Sequence, residues 1–414
     1  MNTVNLLSFV SKIKSFGGIV LAIVILLAMV TVHEFGHYVA GKILGFKINE
    51  FSVGFGPALF KKRSKKTGEV FALRIIPLGG YCAFDGEDDF EEETPKKEEE
   101  PFPEWTKKAE TVENDGGKYG TNEENAEKSV ADEYPEPKGE KFNDQPPWKR
   151  IIVLIAGALM NYLLAVFLII AMFSTVGRPT YQVTVERPVE NTPSEQTIEE
   201  ENPLSLKTGD IILEINGRTV YLITDYIKEI DKFEKGDSLP IKVLRNGEER
   251  TVYLVIQQNT NFANMNDAQT LLGAMGIYSL STTTVKDGFF ETIGRSFVYS
   301  FKIGGTILRS LGELLTGKLG IRSMGGPVTT ITVTSQAASS GWLSFLNISA
   351  FIGVNLAVFN LLPIPALDGC KVIFCLIEWI RKKPVNRKVE TIIHFIGIIF
   401  LLGFAVLVDL LQLF

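Results

Sequence analysis

From Ile151 to Val176 the chain carries no charged side chain. A stretch of that length spans a hydrocarbon core of about 30 Å as a helix rising about 1.5 Å per residue. Three more apolar runs share this constraint. The first extends from about Phe16 to Ala40, uncharged between Ile19 and Val32, and then meets His33, Glu34 and His37. The third, about Trp342 to Leu362, is uncharged but contains Asn347, Asn355 and Asn360. The fourth, Thr391 to Phe414, has His394 and Asp409 as its only ionisable groups. An apolar content of 45% would also suit a soluble enzyme, so it is the clustering that argues for a membrane protein with four transmembrane helices.

Lys12 and Lys14 precede the first run, as in a secretory signal. A polar, histidine-bearing helix follows where a small-residue cleavage site belongs, so this segment is expected to be retained. Basic residues set the orientation. Lys42, Lys47, Lys61, Lys62, Arg63, Lys65 and Lys66 follow the first run, Lys149 and Arg150 precede the second, and Arg381, Lys382, Lys383, Arg387 and Lys388 separate the last two. The positive-inside rule makes those loops cytoplasmic, with both termini and about residues 177–341 on the other side.

The formal charge of −6 conceals an asymmetry. Residues 85–145 hold 22 acidic and 8 basic side chains, a net −14, and few aliphatics. Such a segment cannot bury enough apolar surface to order itself and is expected to be a disordered cytoplasmic insertion. No nucleic-acid partner is expected. Cys82, Cys370 and Cys375, all on the cytoplasmic side of this topology, imply no disulfide framework.

Between the second and third runs, Gly209-Asp210-Ile211-Ile212-Leu213-Glu214-Ile215-Asn216-Gly217 reads as a turn, a short strand and a hairpin turn. Tyr226 to Phe233 suits a short helix. Ile241 to Arg245, Asn246-Gly247 and Thr251 to Ile256 suit a second hairpin. Over about Gln182 to Gln258 this order resembles a PDZ domain, a module that takes up extended peptides by strand addition or screens access sterically. Beyond it, Arg295, Lys302, Arg309 and Lys318 recur through apolar sequence at a spacing that suits an amphipathic helix on the membrane surface.

His33 and His37, four residues apart on a helix, project from one face and can share a metal ion, with Glu34 beside them to take a proton from water. Ionisable groups inside an apolar helix are costly unless paired or metal-bound. A hydrolytic zinc site takes three protein ligands. The third could be Asp368, Cys370, Cys375, His394 or a loop acid. Asp368 is favoured because Pro363 and Pro365 break the helix before it, and broken helices at membrane depth are tolerated where they line a cavity.

His33-Glu34-x-x-His37, the Asn355-x4-Asn360-x2-Pro363-x-Pro365-x-Leu367-Asp368-Gly369 string and the intervening PDZ-like segment together resemble the site-2 protease family of intramembrane zinc metalloproteases, in its bacterial regulator of sigma-E protease form. The resemblance implies Zn2+ held by His33, His37 and Asp368, Glu34 as general base, and Asn355 and Asn360 holding the substrate backbone. Gly54-Phe55-Gly56-Pro57 with Val70 to Tyr81 looks like the family's membrane re-entrant β-hairpin. Two positions depart from the family pattern: Ala158 stands where proline is frequent, and Cys370 where glycine is. Neither removes a ligand; Cys370 is an alternative ligand and an oxidation-sensitive position.

The expected fold is thus a polytopic α-helical membrane protein of about four transmembrane helices, with a re-entrant β-hairpin and an extracytoplasmic PDZ-like α+β domain. Its segments are 1–84 with the zinc motif and hairpin, 85–145 the acidic insertion, 146–177 the second helix, 178–260 the PDZ-like domain, 261–341 the membrane-surface region and 342–414 the last two helices. The expected reaction is peptide hydrolysis within the membrane, toward its cytoplasmic side. Expected partners are the lipid bilayer and a pre-cleaved single-span protein, such as an anti-sigma factor, or a signal-peptide remnant. A silent scaffold would show a broken motif, and an ion transporter would show repeat symmetry; the sequence has neither.

Overall fold

The computed structural model describes residues 3–87, 134–184, 206–256 and 279–413. The chain folds as two compact units, one from Met1–Leu164, Gly312–Ser340 and Ile352–Phe414, the other from Ala165–Leu311 and Gly341–Phe351. Among the described residues four helical stretches are long and apolar enough to cross a membrane: Phe16–Leu44, Pro147–Thr175, Trp342–Asn360 and Arg387–Gln412.

The first unit begins with α1 (Thr3–Leu44). Gly45, at φ +82°, stops it, and the Phe46 N–H reaches back to the Gly41 carbonyl at 2.9 Å, the bond pattern of a left-handed helix end. Strands β1 (Ile48–Arg63) and β2 (Val70–Phe84) follow as an antiparallel pair. Their register is doubled: Phe51 pairs with both Cys82 and Phe71. Each strand is therefore folded back at its glycines, Gly54 and Gly56 in β1 and Gly79 in β2, all at positive φ. The result is a small curled sheet with residues 80–84 along one edge.

Helix α2 (Pro147–Thr175) starts with proline at its first position, where the missing N–H costs nothing, and its residues from Ala165 on belong to the second unit. Two of the later helices, α5 (Pro327–Ser340) and α8 (Arg387–Leu413), meet through Asp409. Its carboxylate accepts the Val328 and Thr329 N–H groups at 2.9 and 3.2 Å, capping α5 from another helix. Gly18 of α1 lies against Ser335 of α5, where a Cβ would come within 2.6 Å of the hydroxyl. Residues 327–340, within the segment read as a membrane-surface region, thus pack against the first helix. Their hydroxyl-rich sequence suits close helix contact, a role that charge spacing does not reveal.

Order also reaches into both ends of the acidic segment, against the expectation for residues 85–145. Asp85 pairs with Lys47 at 2.6 Å, Glu140 exchanges backbone bonds with Gly45 and Lys47, and Phe142 is buried against Phe46 and Phe84. An aromatic anchor, an ion pair and backbone bonds together hold ends whose average composition argues otherwise. The centre of the insertion, residues 88–133, lies outside the described residues.

The second unit is built on an antiparallel sheet of β3 (Arg178–Thr184), β4 (Ile211–Ile215), β5 (Arg218–Thr219), β6 (Ser238–Arg245), β7 (Glu248–Val255) and β8 (Ser279–Val285), ordered β7-β6-β4-β3-β8 with β5 on β4. Alternating residues Leu239, Ile241 and Val243 of β6 and Val252 and Leu254 of β7 face inward, onto Tyr226, Ile227 and Ile230 of α3 (Ile223–Ile230). Both Asn-Gly turns are present with positive φ at each central residue. The short helix sits three residues earlier than the sequence suggests, because Asp225 bonds the Tyr221 and Leu222 N–H groups and so starts it. Strand β8 joins the sheet from beyond the expected boundary at 260, pairing along all of β3. Helix α4 (Phe289–Leu315) follows it, and the first turns of α6 (Trp342–Asn360) complete the unit.

Candidate metal centre

His33 and His37 occupy successive turns of one face of α1, both buried. Asp368 opens α7 (Asp368–Arg381), after the loop that breaks α6 at Leu361. The three meet. Asp368 Oδ2 lies 3.1 Å from His33 Nε2 and 3.4 Å from His37 Nε2, and the two Nε2 atoms are 3.2 Å apart. Ligand atoms on a tetrahedral zinc ion bonded at 2.0–2.1 Å lie about 3.3 Å from one another. The three positions therefore fit such an ion, and among the described residues they form the one cluster of its kind. The contacts themselves are poor hydrogen bonds: Oδ2 is buried without a partner of sound geometry, and two imidazole nitrogens face each other. A cation between them resolves both problems.

The tautomers agree. His37 Nδ1 lies 2.8 Å from the Val153 carbonyl, which can only accept, so Nδ1 carries the proton and Nε2 presents its lone pair. His33 Nδ1 has two amides at 3.4 Å, those of Asn161 and Asn360. Asn161 Oδ1 is buried without a partner. Exchanging the two ends of that amide turns Oδ1 toward His33 Nδ1–H and leaves Nε2 free, as for His37.

Glycines let the backbones approach this closely. A Cβ on Gly157 of α2 would sit 2.4 Å from His37 Nε2 and 2.8 Å from His33 Cε1, and one on Gly36 would sit 2.4 Å from the Ala156 carbonyl. The loop before Asp368 is equally tight. Gly369 packs on the Leu361 and Leu362 carbonyls and Gly397 of α8 on Pro365, while Ala366 is held at φ +78°. That strained residue donates its N–H to His394 Nδ1 at 3.1 Å. His394, a candidate ligand by residue type, thus supports the ligand loop rather than the cluster. Cys375 packs with Phe46, Ile48 and Phe84, and Cys370, although buried beside Asp368, is not part of the cluster.

Glu34 borders two cavities. One, of about 370 Å³, is lined by His37, Tyr81, Cys82 and Asp368, with the Lys371–Glu87 ion pair (2.7 Å) at its side. The other, of about 280 Å³, is lined by His33, Gly79, Gly80, Asn161, Asn360 and Asp368. The 80–84 edge of the curled sheet thus borders both. Asn360 belongs to the site; Asn355, half-buried and about 140° around the same helix, lines neither cavity. Sequence reading singled out the two histidines, Glu34, Asp368 and Asn360. It missed Val153, whose carbonyl carries no sequence signature, and Gly157 with Asn161, whose spacing of one helical turn on an uncharged span was the available signal.

Residues 21–404 match the peptidase family M50. Similar proteins include the zinc metalloprotease RasP of Bacillus licheniformis, 27% identical over 90% of this chain and 93% of that one. The regulator of sigma-W protease RasP of Bacillus subtilis is 27% identical over 92% and 94%, and the zinc metalloprotease RasP of Geobacillus kaustophilus 28% over 93% and 95%.

Proposed function

Because this chain belongs to peptidase family M50, the family of site-2-type zinc metalloproteases, we propose that it hydrolyses peptide bonds within transmembrane segments, with His33, His37 and Asp368 holding zinc. The observation that carries this reading is the triangle of buried donor atoms, 3.1 to 3.4 Å on a side, among helices apolar enough to cross a membrane. Bound there, zinc supplies Lewis acidity toward a carbonyl and toward water. The rest of the chemistry belongs to the chain. Glu34 takes the proton of the attacking water on its carboxylate and delivers it to the leaving amine.

A transmembrane helix must unwind before its peptide bonds are accessible, and the freed backbone groups then need partners. The 80–84 edge of the curled sheet supplies them by strand addition, and Asn360 supplies an amide beside His33. Asn355 contacts the same segment further along α6. The substrate is a single-span protein already cut outside the membrane, such as an anti-sigma factor, or a signal-peptide remnant. The PDZ-like sheet, outside the cell with both termini, limits substrate size or binds a peptide end, while the zinc site lies toward the cytoplasm and the curled sheet re-enters the membrane.

Purified wild type and Glu34→Gln, each assayed for zinc and for cleavage of a single-span substrate in detergent, test the proposal. Wild type should hold about one zinc per chain. The variant should keep that zinc and cleave roughly 100-fold slower or worse. Full activity in the variant would sink the assignment of Glu34, and zinc-free wild type that still cleaves would sink the metal site. Asn360→Ala should slow cleavage more than Asn355→Ala; the reverse order removes Asn360 from its proposed place.

A further inference from the structure

Helix α4 is apolar on two sides, unlike a surface helix of a soluble domain. Its buried face carries Tyr299, Ile303 and Ile307 beside Thr292, Ser296 and Ser300, while Phe290, Phe297, Phe301, Leu308 and Leu315 are exposed along one side. An apolar stripe of that length facing outward calls for lipid. At the border of this stripe lies a cavity of about 400 Å³ lined by Val298, Phe301, Lys302, Arg309, Lys228 and Asp225. Lys228 reaches it from α3, so the sheet unit contributes to a pocket that opens beside the lipid-facing side chains.

Three cations and one carboxylate line the cavity, and the carboxylate is already engaged. Asp225 Oδ2 accepts the Tyr221 and Leu222 N–H groups, each at 3.1 Å, and Oδ1 accepts the Lys302 ammonium at 2.6 Å. Burial first, then repulsion from Arg309 and Lys302, holds the Lys228 ammonium below the usual lysine range despite the attraction of Asp225. Cations gathered against their mutual repulsion next to an exposed apolar surface match one ligand chemistry: an anionic head joined to hydrocarbon chains.

We propose that Lys228, Lys302 and Arg309 form a binding site for the phosphodiester of an anionic phospholipid, whose acyl chains lie over Val298 and Phe301. The phosphate takes charge-assisted hydrogen bonds from all three side chains. Bound lipid then ties the sheet's helix α3 to α4 through Lys228, so that membrane composition governs how firmly the two are held.

The test uses the full chain and native mass spectrometry with dioleoylphosphatidylglycerol against dioleoylphosphatidylcholine. Wild type should retain phosphatidylglycerol preferentially. Lys228→Gln with Arg309→Gln should weaken that retention roughly 30-fold, leaving zinc content and cleavage in phosphatidylcholine unchanged, and Lys228→Arg with Arg309→Lys should restore it. Equal retention of the two lipids by wild type overturns the proposal without reference to any variant, as does undiminished retention by the glutamine pair. Displacement of phosphatidylglycerol by equimolar glycerol phosphate identifies a free-anion site and overturns the lipid assignment. Displacement by an acidic juxtamembrane peptide does the same in favour of a protein ligand.

Discussion

The candidate metal centre and the antiparallel sheet are both buried, but they are held by opposite means. The sheet's interior is aliphatic, with Leu206, Ile215, Leu239, Ile241, Val243 and Leu254 fully enclosed, and its rigidity comes from volume. The centre is polar and its rigidity comes from absence: Gly36, Gly157 and Gly369 each stand where a methyl group would collide with a backbone carbonyl or an imidazole. An aliphatic core tolerates exchange among side chains of similar size. A centre built on backbone contact has no side chain to exchange, so its weakest points are residues that carry no chemistry.

The sharpest attempt to break this contrast is Gly157→Ala. Its methyl group would lie 2.4 Å from His37 Nε2, the atom that faces Asp368. Zinc binding and cleavage should both fall roughly 100-fold, measured as metal content after dialysis and as turnover of a single-span substrate. In the sheet, Leu239→Ala should cost about 2–5 kcal/mol in denaturant unfolding while zinc content stays at the wild-type level. An alanine at 157 that keeps its zinc would show that α1 and α2 can separate, and the distinction between the regions would fail.

The two regions were also unequally legible in the sequence. The sheet's hairpins are written locally, in Asn216-Gly217 and Asn246-Gly247 between alternating residues, and they form where expected. The cluster of His33, His37 and Asp368 was legible because histidines and carboxylates are rare in apolar runs. What holds them was not. The His37 contact to the Val153 carbonyl spans 116 positions, the Ala366 contact to His394 spans 28, and neither leaves a local pattern. Asp210 of the Gly-Asp turn has a local partner in the Lys207 N–H at 2.8 Å, but its pairing with Arg245, both guanidinium bonds at 2.7 Å, exists only once β6 is in place. Strand β8 was missed because Ser279 to Val285 is polar, and its partner β3 lies about a hundred residues away.

Asn161 tests whether the support around the histidines is chemical as well as steric. Asn161→Ala removes the only α2 side chain that bonds His33 Nδ1 and should weaken zinc roughly 10- to 100-fold. Asn161→Asp keeps an oxygen that can accept from Nδ1–H and should lose less. If alanine and aspartate behave alike, the amide is filling space, and the centre is held by backbone approach alone.

The smallest effect belongs to Gly217→Ala, the counterpart of Gly157→Ala in the sheet. The added atom is the same, yet nothing lies within 4 Å of it. The cost is purely conformational: at φ +72° an alanine gives up about 1–2 kcal/mol. That loss should appear as a modest fall in the unfolding midpoint, with zinc content and cleavage unaltered. One methyl group therefore acts through two different energies, collision with an imidazole at 157 and a disfavoured backbone angle at 217. Only the first is transmitted to the metal. Were Gly217→Ala to lower zinc content as Gly157→Ala does, the common cause would be global destabilisation, and the close packing around His33 and His37 would lose its special standing.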